Sequence, residues 1–259
     1  MNKIYLKDVS FLIPIRIDCN ERLRNLSIIL AYLKNHFDTN IYIGEESNDP
    51  KLNGLSSEIN YFFFKSNSEL FHRTRIFNEL CKRCDTKIIC NHDADCILPV
   101  TQYVQTTNLI KSDKYDIIIP YSGLVYNLRE EDTELISRAS QNEKLLSNIP
   151  IQHCKRRRSN SVGGVDFFNK EIYIRGGMMN ENLISWGADD DESIHRFRML
   201  FPERFIRLEG VLYHICHPRN INSSMKQPHY KKNVEEMNKV GKLSKEALQN
   251  YIKEWSWIK

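Results

Sequence analysis

The sequence predicts an α/β domain with a mostly parallel central sheet flanked by helices, and three observations point there. Short apolar runs of strand length recur through the first half, from SFLIP at residues 10–14 to DIIIP at residues 116–120. Between them lie longer segments whose apolar residues return every three or four positions, the spacing of one helical face. Strand and helix therefore alternate, and such alternation closes as parallel crossovers with helices covering both faces of the sheet.

Residues 10–14 read as the first buried strand, and residues 21–34 as a helix with Leu23, Leu26, Leu30 and Leu33 along one face. Residues 40–43 are a second strand. A polar loop through Asp49-Pro50 and Asn53-Gly54 leads to a third strand at 59–64, then a helix capped near Ser68 runs to about Cys84. Residues 87–90 form a buried strand that ends in NHDADCILP. Pro99 suits the first position of a helix over 100–111, and residues 116–120 form the next strand. In the second half, residues 130–144 read as a charged helix, 189–200 as a helix, 207–216 as a strand, and the chain from about Val234 as a C-terminal helix. No repeat or low-complexity linker divides the chain. It reads as one catalytic domain over 1–259, with a nucleotide-binding half to about 120, an acceptor half over about 121–220, and a helical extension over about 221–259. Its crevice is expected at the carboxyl ends of the first-half strands.

The 259 residues, 41% hydrophobic, suit a globular core. A net charge of +4, from 37 basic and 33 acidic residues, is too mild to argue for nucleic acid. No apolar run approaches the roughly 18 residues of a membrane span, so a mature intracellular chain is expected. Seven scattered cysteines fit a reducing compartment. Cys81-Lys82-Arg83-Cys84 has no second pair and reads as an apolar helix contact rather than a zinc or redox site.

Chemistry-bearing residues gather where these elements end. On a continued strand, Asp93 and Asp95 would share a face and turn into the crevice while Ala94 packs away. Mg²⁺ and Mn²⁺ favour such oxygens and keep positions open for substrate phosphates; solvated turn acids are the plainer alternative. Trp186-Gly187-Ala188 runs into Asp189-Asp190-Asp191-Glu192 at a helix start, where the dipole stabilises negative charge. Capping explains the acids but not the Trp. An aromatic face stacks on sugar C–H groups, and a carboxylate beside it can take the proton of a sugar hydroxyl, worth about 10²- to 10⁴-fold in rate. His214-Ile215-Cys216-His217-Pro218 spaces two imidazoles at i and i+3. They reach one ion only if the chain bends, for which Pro218 gives a reason, and one ligand is the simpler expectation.

In this order, the segments resemble the metal-dependent glycosyltransferases of the GT-A fold, most closely the beta-1,4-galactosyltransferase family. Residues 13–23 (IPIRIDCNERL) are similar to its P-F-R-x-R-x-x-x-L loop, and residues 71–78 (FHRTRIFN) to F-N-R-A-K-L-L-N. Asp93-Ala94-Asp95 matches D-V-D, WGADDD at 186–191 is similar to W-G-G-E-D-D-D, and Gly163-Gly164-Val165 and His217 keep the family's order. The set spans about residues 11–219. Polypeptide N-acetylgalactosaminyltransferase and chondroitin polymerase catalytic domains are similar too.

The resemblance implies a Mn²⁺ or Mg²⁺ cofactor and a UDP-sugar donor. By position, Arg16 and Arg73 would contact the nucleotide end, with Arg219 near the diphosphate, Phe71 shaping the pocket, and Pro14 and Gly164 beside it. Asp95 and His217 would ligate the metal, with His214 as a further ligand, and Asp93 would touch the donor's ribose or sugar. Trp186 would line the acceptor pocket, Asp189 bind acceptor hydroxyls and Asp190 be the catalytic base. The departures are Ile15 for an aromatic, Asp18 for a second Arg, Ser161 for a Tyr, Ile184 for a first Trp, and Asp189 for Glu. They bear on the sugars rather than on metal and base.

The implied activity is inverting transfer of a hexose, of galactose or N-acetylhexosamine type, to a glycan hydroxyl in polysaccharide or lipid-linked glycan synthesis. Alternatives are a retaining transferase on the same fold, a nucleotidyltransferase that forms sugar nucleotides, and a non-catalytic carbohydrate-binding protein. Against the nucleotidyltransferase, residues 15–20 contain no glycine. Without the anchor and disulfide pattern of the animal enzymes, the chain is expected in the cytoplasm, at the inner face of the membrane where it meets lipid-linked acceptors. Leu243, Ala247, Tyr251 and Trp255 share about one face, which would dock on a membrane surface or pack on the catalytic domain. Lys155-Arg156-Arg157-Arg158 would be a lid, a contact for an anionic acceptor, or a solvated loop.

Overall fold

The computed structural model of the chain describes residues 2–156 and 160–259; Arg157 and Arg158 of the basic run lie outside the described residues. The first half contains β1 (Ile4–Ile15), α1 (Asn20–His36), β2 (Phe37–Ser47), β3 (Ile59–Lys65), α2 (Arg73–Arg83) and β4 (Ile88–His92). Next come β5 (Cys96–Ile97), α3 (Val100–Lys111), β6 (Ile117–Ile119), β7 (Leu124–Asn127), α4 (Thr133–Ala139) and β8 (Lys155–Arg156). The rest holds β9 (Val165–Asn169), α5 (Lys170–Arg175), α6 (Asp189–Leu200), β10 (Phe205–Arg207), β11 (Val211–His214), α7 (Tyr230–Lys242) and α8 (Lys245–Lys253).

Seven strands form the main sheet in the order β10-β6-β9-β4-β1-β2-β3. β1 runs parallel to β2 and β4, β3 parallel to β2, and β10 parallel to β6; β9 is antiparallel to both of its neighbours. The α/β class with a mostly parallel sheet is therefore the one the sequence predicts. Every residue from Val9 to Ile15 is buried, and since side chains alternate along a strand, both faces of the central β1 are covered. A second, four-stranded sheet has the order β5-β11-β7-β8. It meets the main sheet where β4 gives way to β5, and its register pairs His214 with Cys96. That single pairing sets a late histidine beside the acidic segment. Among the described residues, no helix is long and apolar enough to cross a membrane.

Several expected elements are placed differently. Asp93-Ala94-Asp95 is a turn between β4 and β5 rather than a strand continuation. α2 starts at Arg73 instead of near Ser68, and Pro99 is the cap of α3, with an extended ψ of 142°, rather than its first residue. The charged stretch 130–144 is broken into short 3-10 turns around α4. The expected strand 207–216 is split into β10 and β11 at Gly210, whose φ of +127° no L side chain adopts comfortably. At its C-terminus the chain forms two helices, and Leu248, Ile252 and Trp255 are buried with Val240 and Leu200. Of the face expected either on a membrane or on the domain, Trp255 is buried and Leu243 and Tyr251 pack against the domain while Ala247 is exposed; the buried stripe runs through Leu248 and Ile252 instead. Cys81 and Cys84 are both in the core.

Candidate active site

A cleft of about 1090 Å³ opens where the two sheets meet, and the residues the resemblance assigns to donor, metal and acceptor line it, from Pro14 on β1 and Arg16 just beyond it to His217 beyond β11. They divide into two groups.

The first group is Asp95, His214 and His217. Asp95 Oδ2 lies 3.2 Å from His217 Nε2, and Oδ1 lies 3.8 Å from His214 Nε2. β11 ends at His214, and the Ile215 N–H then donates to the Asp95 carbonyl at 2.8 Å. Leaving the strand there frees His217 from strand alternation, so residues three apart converge with their rings 5.4 Å apart. One ligand atom from each of the three residues fits within a 4.8 Å span. Octahedral ligands at about 2.1 Å from an ion are about 3 Å apart when adjacent and about 4.2 Å when opposite, so the set fits one divalent cation with small shifts. Burial works to raise the Asp95 carboxyl, but His214, His217 and Arg22 outweigh it and hold the group below the usual carboxylate range.

The second group surrounds one guanidinium. Arg73 Nη2 donates to Asp93 Oδ1 at 2.7 Å and Nε to the same oxygen at 3.0 Å. Its Nη1 donates to Asp189 Oδ2 at 2.5 Å and to Asp190 Oδ1 at 3.0 Å. The sequence assigns Arg73 to the nucleotide, whereas here each of its nitrogens faces a carboxylate. Its neighbour in the resemblance, Arg16, donates Nη2 to the Ser68 carbonyl and keeps Nη1 buried without a protein partner. The turn directs Asp93 to Arg73 and Asp95 to the histidines, although one carboxylate oxygen of each still lies within 4.8 Å of the other. Burial pushes the Asp190 carboxyl well up; Arg73 opposes this, while Asp189, Asp93 and Asp166 add to it. Glu192, the last acid of the run, faces the core and binds Arg196 through two bonds of 2.8 and 3.1 Å.

Backbone geometry holds this group in place. Gly163 (φ +82°) lies so close to Asp190 that a Cβ there would come within 2.1 Å of Oδ2. Its carbonyl accepts from the Tyr121 hydroxyl at 2.8 Å. Gly164 receives the Asp93 N–H on its carbonyl, so the two glycines back both Asp190 and the acidic turn. Ahead of α6, Ser185, Gly187 and Ala188 all have positive φ, and non-glycine residues held there cost on the order of 1–2 kcal/mol each.

Hydrogen bonds from the C-terminal segment offset that cost. Asn233 Nδ2 donates to the carbonyls of Ile184 and Gly187, and Gln227 Nε2 to that of Trp186. Asn222 Oδ1 accepts from Ser185 Oγ and the Phe71 N–H. Tyr230 stacks on Trp186 at 6.0 Å and 13°. No sequence motif marks these four residues. The nearest available signal is the cluster of Asn, Gln and Ser over 220–227, a composition that reads simply as loop.

Asp166 is a fifth residue without a motif. It lies on β9 opposite Asn91 of β4, is 7% exposed, and its Oδ1 has no partner, as is true of Asn91 Oδ1. Burial pushes its carboxyl up to about 7; Arg73 and Arg207 oppose this, and Asp93 adds to it. Because the folded state keeps this proton above the unfolded carboxylate value of about 4, stability falls as pH rises from about 4 to about 7. Asp166→Asn is expected to remove that penalty, so that its melting temperature exceeds wild type at pH 8 and the gap closes near pH 4. Parallel pH dependence of the two melting curves would refute this.

No family model matches this chain, and no curated protein matches it. Among solved structures, the catalytic domain of Drosophila beta-1,4-galactosyltransferase 7 in complex with xylobiose is similar at a TM-score of 0.48 and 17% identity, covering 88% of this chain and 79% of that one. A mutant of the same enzyme in complex with manganese, UDP-Gal and xylobiose gives 0.46 and 15%, over 88% and 74%.

Proposed function

We propose that this chain is a single-domain, metal-dependent GT-A glycosyltransferase that moves a hexose, of galactose or N-acetylhexosamine type, from a UDP-sugar to a glycan hydroxyl with inversion. The observation that carries this reading is one cleft that joins a carboxylate-and-imidazole metal set to the half-buried Asp190, paired with Arg73, and to an exposed Trp. The ordered motifs of the sequence favour the same activity.

In this reading Asp95, His217 and His214 hold the ion. Two imidazoles with one carboxylate suit Mn²⁺ better than Mg²⁺, which prefers an all-oxygen shell. When bound, the ion supplies positive charge to the leaving diphosphate. Arg16, with a nitrogen unspent on the protein, contacts the nucleotide end, and Pro14 and Phe71 wall that pocket. Trp186 takes the acceptor sugar on its face, and Asp189 orients an acceptor hydroxyl. Asp190 Oδ2 accepts the proton of the attacking hydroxyl as it approaches the anomeric carbon from the face opposite UDP. Arg73 keeps Asp93, Asp189 and Asp190 together without letting them repel one another apart. None of the seven cysteines, all among the described residues, is in a disulfide, which fits work in a reducing cytoplasm on a polysaccharide or lipid-linked glycan.

The test is a screen of nucleotide sugars by thermal shift and by release of the nucleotide, with Mn²⁺, Mg²⁺ or chelator. A UDP-hexose is expected to stabilise the protein only with metal, and to release UDP faster when a glycan acceptor is added. Stabilisation by another nucleotide sugar, or by a UDP-sugar equally well in chelator, would sink the reading.

A further inference from the structure

We propose that the rim over residues 218–232, together with Trp186, is a docking surface for anionic phospholipid that sets the mouth of the cleft against a membrane. Its use, delivery of a lipid-linked acceptor, rests on the transferase reading; the docking itself does not.

Seven large apolar side chains are exposed among the described residues, and three of them lie here: Trp186 at 41%, Ile221 at 39% and Met225 at 65%. They come from two segments that hydrogen bonds join into one surface. Gln227 Nε2 donates to the Trp186 carbonyl at 2.9 Å, Ser185 Oγ to Asn222 Oδ1 at 2.9 Å, and Tyr230 stacks on the Trp.

Over residues 218–232 the charge has one sign; the acids that border the rim are Asp18, which accepts from Asn220 Nδ2 and pairs with Arg22, and the exposed Asp191 five residues beyond Trp186. Arg219, Lys226, Lys231 and Lys232 are all exposed, and no acid occurs from Pro218 to Val234. Among the described residues, none of the four cations forms an ion pair. Beyond Val234 the next acids are Glu235 and Glu236, and Glu236 accepts from Asn180, Asn182 and Tyr251. The expected membrane face farther along the chain is excluded, since Leu248, Ile252 and Trp255 are buried.

A Trp and two aliphatic side chains set among lysines match the interfacial layer of an anionic bilayer. A protein partner fits less well, because lysine is depleted at protein interfaces. Asn222, Trp186 and Arg219 also line the cleft, so a bilayer seated on the rim would lie at the cleft's own opening.

The experiment is co-sedimentation of the full chain with phosphatidylcholine vesicles, with and without phosphatidylglycerol. Wild type is expected to bind only the anionic vesicles. Replacing Lys226, Lys231 and Lys232 together with Gln should lower the partition coefficient about 100-fold, from about five-fold per cation. The double substitution Ile221→Ser and Met225→Ser should weaken binding to the same vesicles at high salt, where the charge contribution is screened. Thermal shift by UDP-sugar, unchanged in these variants, shows the fold and cleft intact. Equal binding to neutral vesicles, undiminished binding by the Gln variant, or loss of binding to a soluble anionic polysaccharide but not to vesicles would each overturn the proposal. Vesicle binding without any UDP release would leave docking standing and refute the transferase reading instead.

Discussion

Asp190→Asn is expected to lower kcat for sugar transfer by about 10²- to 10⁴-fold, the range removed with a general base, while UDP-sugar affinity changes little. Asn keeps the size of the side chain and still accepts the Arg73 N–H, so the charged cluster loses a proton acceptor without losing its packing. Asp190 is not among Asp95, His214 and His217, the residues that would hold the metal, which is why donor binding should survive. The pH profile gives an independent check. Burial and three neighbouring acids push the Asp190 carboxyl up, against Arg73, and a base works only when deprotonated. Activity of the wild type should therefore rise with pH through a value well above that of an ordinary aspartate. Acceptor-stimulated UDP release by Asp190→Asn at the wild-type rate would remove Asp190 from the mechanism.

The two halves of the site differ in how far they were legible in the sequence, and the reason is physical. Apolar strands such as β4 and β6 and the helical periodicity of α1 and α3 carry local signals, so the layered fold could be read from residue spacing. Asp95 and His217 could be named because their order along the chain follows a familiar pattern. Convergence of His214 with His217 could be read only as conditional on a bend near Pro218, because it depends on where β11 ends, and β11 pairs with β5 across the molecule. The same holds for Arg73. Its spacing places it on a helix, but that it meets three carboxylates from two other segments is a long-range fact. Asp93 and Asp95 show the opposite failure. Strand alternation would put them together, and the turn drives them to different partners.

The placement of the C-terminal segment stays open in the sequence for a related reason. Helical amphipathicity at 243–258 is equally compatible with a membrane and with a protein surface, because both present an apolar plane. Only the burial of Leu248, Ile252 and Trp255 decides between them. Asn222, Gln227 and Asn233 act through backbone carbonyls of the loop before α6, and no residue pattern records which carbonyl an amide will reach. Strain in that loop at Ser185 and Ala188 is what makes their bonds matter.

Asp95→Ala should abolish the tightening of UDP binding by Mn²⁺, measured by calorimetry as the ratio of dissociation constants in chelator and in metal. Asp95 is the only carboxylate among the three ligands, so its removal leaves two neutral donors. Outer-shell changes alone typically lower metal affinity about 10- to 100-fold, and loss of a charged direct ligand should exceed the upper figure. There is a second effect. His214, His217 and Arg22 all face the Asp95 carboxylate, and without it a dication would meet the Arg22 guanidinium with nothing between them to screen it. His217→Ala should act in the same direction but less strongly, since Asp95 and His214 remain. Asp93→Ala should leave the metal ratio near wild type, because its carboxylate is committed to Arg73. If Asp95→Ala kept the full Mn²⁺ enhancement while Asp93→Ala lost it, the two acids would have exchanged roles and the ion would sit on the Arg73 side of the cleft.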